Sequence, residues 1–91
     1  MVADPDDSAG AESERRGRSY SDRQLLSLFG ARVRKARKVN ELSIAALARE
    51  ASVDASYLGE LERGRKNVSL VTAARIAAAL GVPVSTLLTP D

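Results

Sequence analysis

Ninety-one residues, of which 29% are charged and 3% aromatic, allow one small domain with a thin apolar core. With no Cys and no His, the chain lacks disulfides, thiolate metal sites and the commonest nucleophile–base pairs. The formal charge of +2 conceals an asymmetry: residues 1–22 carry six acids against three arginines, whereas the remainder carries eleven bases against six acids. A basic compact part behind an acidic leader suits a polyanionic partner.

Residues 1–21 are rich in Asp, Glu, Ser, Gly and Arg, with almost nothing apolar to bury, and are expected to form a disordered leader. No apolar run approaches a membrane span, and the N-terminus lacks the apolar stretch of a signal peptide. A reducing cytoplasm is the expected setting. Ser21 or Asp22 can cap a first helix running to about Val39. Leu25, Leu26, Phe29, Val33 and Ala36 mark its buried side. Arg32, Arg34, Lys35 and Lys38 fall mainly outside, toward the end where cations favour the helix dipole. Asn40 is expected to end the helix in the left-handed conformation.

Ser43 stands before a second stripe, Ile44, Leu47, Ala48 and Ala51, at i, i+3, i+4 and i+7. Asp54 caps a third helix reaching Arg63, with Leu58 and Leu61 inward. Val53 and Leu58 have the spacing of a hydrophobic staple across that cap. Two capped amphipathic helices separated by Ser52, Val53 and Asp54 make a helix-turn-helix. Gly64 suits the position beyond the helix end, and Arg65, Lys66 and Asn67 form a basic loop. Ser69 caps a fourth helix carrying Ala73, Ile76, Ala77 and Leu80, which Gly81 ends. Pro83 suits the first turn of a short fifth helix with Val84, Leu87 and Leu88. No strand pattern appears, so the expected fold is a five-helix, all-α domain over residues 22–89.

RVRKAR at Arg32–Arg37, LSIAALA at Leu42–Ala48, YLGELERGRKNVSL at Tyr57–Leu70 and IAAALGV at Ile76–Val82 carry a further signal. Over Leu25 to Leu88 the chain resembles the repressor-like (lambda/434 repressor and Cro) helix-turn-helix family. Its wording and size are most similar to the controller proteins of restriction–modification systems. The resemblance implies a cytoplasmic transcriptional regulator that binds double-stranded DNA as a homodimer on a palindromic operator, without cofactor or metal. It implies that the helix from Asp54 to Arg63 enters the major groove, which is wide enough for one helix. Ala55, Ser56, Gly59 and Glu60 would then face the bases. Ser43, Ile44, Tyr57, Arg63, Arg65, Lys66, Asn67 and Ser69 would face phosphates, the two Ser positions through helix N-termini. Arg37 would pair with Glu62 and tie the first helix to the third.

The sequence departs from the family at several places. Ile44 replaces a common Gln, Glu41 stands where Gly is usual, and the base-facing set lacks the Gln, Arg or Lys that fork onto purines. Direct readout should therefore be modest, with Arg63, Arg65, Lys66 and DNA shape carrying more of the recognition. Glu60 can accept from a cytosine amino group or pair with Arg63, and Tyr57 can meet a phosphate or simply pack. Arg15, Arg16 and Arg18 can serve as an arm along DNA or belong to a leader without a set role. Val82, Val84, Leu87 and Leu88 can either build a dimer surface or close the monomer core. An alternative keeps the same fold for a protein partner, as an interaction module or antitoxin-type regulator with weakened DNA readout. Nothing points to catalysis or a small-molecule ligand domain: the acids lie on tails, caps and helix faces, and there is no Gly-rich phosphate loop.

Overall fold

The computed structural model describes residues 20–90. The expected leader over residues 1–21, with Arg15, Arg16 and Arg18, lies outside the described residues apart from Tyr20 and Ser21. Among the described residues there are five helices and no strand: α1 Asp22–Val39, α2 Ile44–Ala51, α3 Ala55–Glu62, α4 Leu70–Leu80 and α5 Val84–Leu87. None of these helices is long and apolar enough to cross a membrane.

Each of the first four helices starts on a side-chain cap. Ser21 and Gln24 form a reciprocal capping box, with the Ser21 hydroxyl accepting from the Gln24 N–H at 3.1 Å and the Gln24 side chain accepting from the Ser21 N–H at 2.9 Å. Ser43 accepts from the Ala46 N–H, Asp54 from the Tyr57 N–H and Ser69 from the Thr72 N–H, all at 3.0 Å. Pro83 sits at the cap of α5 rather than inside its first turn, with an extended ψ of 153°. Gly81 closes α4 at φ 73°.

The end of α1 departs from expectation. Asn40 keeps φ −85°, and the left-handed residue is Glu41, at φ 56°. The Leu42 N–H reaches the Arg37 carbonyl and the Glu41 N–H reaches that of Lys38, both at 3.0 Å, a closure that needs positive φ one residue beyond the cap. Asn40 contributes through its side chain instead, its amide donating to the Ala36 carbonyl at 2.8 Å.

α2 packs on α4, while α3 lies against α1 and α2, and α1 also touches α4 and α5. Val33, Leu47, Leu58, Leu61, Ile76 and Leu87 are fully enclosed where these faces meet. Burial of each such side chain is worth about 1.5–3 kcal/mol. One expectation changes here, and one open alternative closes. Leu25 is exposed because the first turn of α1 overhangs an open apolar groove, bordered by Val68, Leu70, Val84 and Leu88, that none of the described helices fills. Leu87 is sealed inside the monomer and is unavailable to a dimer surface: a four-residue helix has one inward position, and Leu87 occupies it. Val82 and Val84 are half-buried against the core, leaving Leu88 as the exposed member of that set.

The crossing of α1 over α3 depends on a residue that periodicity did not single out. A β-carbon on Gly30 would clash with the Leu61 carbonyl oxygen and lie 2.7 Å from that of Glu62. The bare backbone of α1 therefore rests on the C-terminal carbonyls of α3, and this close approach brings Arg37 within reach of Glu62.

Candidate nucleic-acid interface

α3 is held at both ends and along one side. Asp54 caps its start. At its end the Arg37 guanidinium forks onto Glu62, with Nε to Oε2 at 2.7 Å and Nη2 to Oε1 at 2.9 Å. Its remaining Nη1 donates to the Leu42 carbonyl at 3.0 Å. One arginine thus fastens α1, the α1–α2 turn and α3 together. The side chains are only 11% and 5% exposed, so the pair is desolvated as well as bidentate. The hydrogen bond to Glu62 pushes the Arg37 guanidinium above its ordinary value, keeping it charged. On the flank, the Tyr57 hydroxyl donates to the Asn67 carbonyl at 2.9 Å and fixes the basic loop against the helix. Its only proton is therefore used within the protein, an arrangement that matches packing more closely than a phosphate contact.

The opposite side of α3 is open. Ala55 and Ser56 are exposed, and Gly59 and Glu60 are half-exposed. A β-carbon on Gly59 would meet only the Ile44 Cδ1, at 4.0 Å, so Ile44 and the bare Gly59 backbone border one shallow concavity with Arg34 and Arg63. Ser43, Arg63, Arg65, Lys66, Asn67 and Ser69 are exposed around this face, and Ile44 and Tyr57 are half-buried. First-turn N–H groups of α2 and α4 that no helical carbonyl can satisfy lie beside Ser43 and Ser69. Glu60 meets Arg63, Oε2 to Nη1 at 2.7 Å, and faces Arg65 at 3.6 Å through its other oxygen. Arg63 holds the Glu60 carboxyl below its usual range. Among the described residues no three of His, Cys, Asp and Glu converge as a metal site.

Residues 28–88 match the family described as a helix-turn-helix domain. The chain belongs to this helix-turn-helix family. It is 41% identical over 58 residues to the immunity repressor protein of Bacillus phage phi105, a match covering 64% of this chain and 40% of the phage protein. Its match to control protein C.MunI of Mycoplasma sp is 38% identical over 60 residues, covering 65% of this chain and 81% of that one. The crystal structure of the restriction-modification controller protein C.AhdI from Aeromonas hydrophila superposes with a TM-score of 0.67 at 42% identity, covering 68% of this chain and 94% of the controller. The family is one of DNA-binding transcription regulators, and these relatives are named as a repressor and as controller proteins. In the helix-turn-helix chain described here, the motif itself is α2, the turn through Ser52 at φ 58°, and α3.

Proposed function

We propose that this helix-turn-helix protein is a sequence-specific transcriptional regulator of the cytoplasm, bound as a homodimer to a palindromic operator with α3 in the major groove. The observation that carries the reading is an α3 whose inner side is anchored by Arg37–Glu62 while Ala55, Ser56, Gly59 and Glu60 face outward beside Arg63, Arg65 and Lys66. Phosphate oxygens suit Arg63, Arg65, Lys66, Asn67 and the helix N-termini at Ser43 and Ser69. Ala55 offers a thymine methyl an apolar contact, and Ser56 can hydrogen-bond several bases. With no bidentate Arg, Gln or Asn among these positions, base readout is modest and DNA shape shares the work.

One recognition helix covers half a site, and a two-fold dimer would place two of them roughly 34 Å apart. We assign self-association to the apolar side chains left exposed around the groove beside the C-terminal helix, Leu88 with Leu25 and Leu70. Sedimentation showing only monomer at micromolar concentration would remove the dimer.

Selection of bound sequences from a random duplex pool tests the whole reading. The expected result is an enriched inverted repeat whose binding survives competitor DNA and weakens steeply with salt. No enrichment and no gel shift on any duplex, with a stable complex to a second protein, would establish the interaction-module alternative instead.

A further inference from the structure

We infer that Glu60 is a specificity-determining residue: by engaging Arg63 and Arg65 in the free protein it restrains sequence-independent binding to the phosphate backbone. This rests on the regulator reading. The two carboxylate oxygens of Glu60 serve different guanidinium groups, Oε2 at 2.7 Å from Arg63 and Oε1 at 3.6 Å from Arg65. The same residue's backbone carbonyl accepts the N–H of Arg63 at 3.1 Å and of Arg65 at 3.0 Å. Gly64 makes this fold-back at φ 75°, where a β-carbon would lie 2.9 Å from the Ser27 hydroxyl. The turn therefore returns Arg65 toward Glu60 and gathers one acid and two bases at the exit of the recognition helix.

Sequence-independent attraction to a duplex is electrostatic and scales with the cations that replace counterions. Two arginines alone would offer two charges, and Glu60 reduces the local sum to one. Both arginines are largely solvent-exposed, so each pair is weak and a well-placed phosphate can displace it. A fitted operator, with phosphates held in register by the remaining contacts, can make that exchange; a poorly fitted duplex gains less from it. Glu60 thus costs affinity on all DNA, but more on the wrong DNA. Both of its oxygens already face arginines, so a cytosine amino group would have to share a carboxylate oxygen with one of them.

The test uses the full chain as parent, Glu60→Gln, the double variant Arg63→Ala/Arg65→Ala, and that double variant carrying Glu60→Gln. Anisotropy titrations across salt are made on the selected operator and on a scrambled duplex. Glu60→Gln should bind the scrambled duplex roughly five- to tenfold tighter at low salt, with a log–log salt slope steeper by about 0.9. The gain on the operator should be smaller, so the ratio between the two falls, and the gain should vanish without the two arginines. The inference is overturned if the parent binds normally and Glu60→Gln binds the scrambled duplex no tighter. It is also overturned if the gain persists without the arginines, or if the variant instead loses affinity that depends on one cytosine of the operator. A parent that binds no duplex at all would sink the regulator reading, and the inference with it.

Discussion

Glu60 and Glu62 stand two residues apart on α3, and each meets an arginine nitrogen at 2.7 Å. Distance does not separate them; water does. The Arg37–Glu62 pair is 11% and 5% exposed, whereas Arg63 and Glu60 are 61% and 35% exposed. In the dry pair each charge depends on the other, because neither can be solvated if its partner is removed. In the wet pair solvent can take over from either partner at little cost. One helix therefore carries a carboxylate that holds the fold and, within a single turn, another whose arginines are available to a ligand.

The strongest way to break that contrast is to remove each carboxylate in turn. Glu62→Ala should lower unfolding free energy by about 3–5 kcal/mol, since it strands a desolvated Arg37. Glu60→Ala should unfold in urea alongside the parent. Equal midpoints for the two variants would mean that burial does not distinguish the pairs.

Gly30→Ala tests how the dry pair is brought together. Its β-carbon would press on the α3 carbonyls, backbone that cannot rotate away, so α1 and α3 must separate. A loss of about 1–3 kcal/mol is expected from such overpacking. Thermal melting at parental temperature would mean that the helices can approach without a glycine there.

Glu41→Gly should act in the other direction. A side chain at φ 56° is strained where glycine is not, so the variant should gain up to about 1 kcal/mol with no change in DNA affinity. Loss of stability would show that the Glu41 side chain compensates for its backbone.

The smallest effect belongs to the wet pair. Arg63 lowers the Glu60 carboxyl below its ordinary value, so the contribution of the pair is present above that value and disappears as pH falls through the lowered one. Carboxyl-carbon NMR should find Glu60 titrating below the ordinary carboxylate range and returning to it in Arg63→Ala/Arg65→Ala. A titration indifferent to the two arginines would contradict the geometry.

How much of this was legible in the sequence follows from the range of each interaction. Local signals read directly: Ser21, Ser43, Asp54 and Ser69 all cap where their positions suggested, and the Ile44–Ala51 stripe turns its Leu and Ala residues inward. The Arg37–Glu62 bond spans 25 residues and is legible only through the family resemblance, because no local spacing encodes it. Gly30 does not stand out in the apolar periodicity, although an isolated glycine inside a helical stripe is a cue to close packing. Residue type points to Asn40 for the left-handed position, but hydrogen-bond closure places it on Glu41. Leu25 is exposed against expectation because periodicity indicates the inward direction without showing whether another element covers it, whereas Leu87 takes the core-closing one of the two roles open to it. The Glu60–Arg65 contact depends on the fold-back at Gly64, which the sequence marks only as a helix end.

The central claim is that the exposed edge of α3 and the loop after Gly64 meet phosphate while the buried side only supports them. Salt titration of the double variant Arg65→Ala/Lys66→Ala on the selected operator tests it most directly. Its log–log slope should be shallower than the parent's by about 0.9 for each removed phosphate contact, with the melting temperature unchanged. A slope equal to the parent's would place the phosphate contacts elsewhere on the molecule and contradict the account.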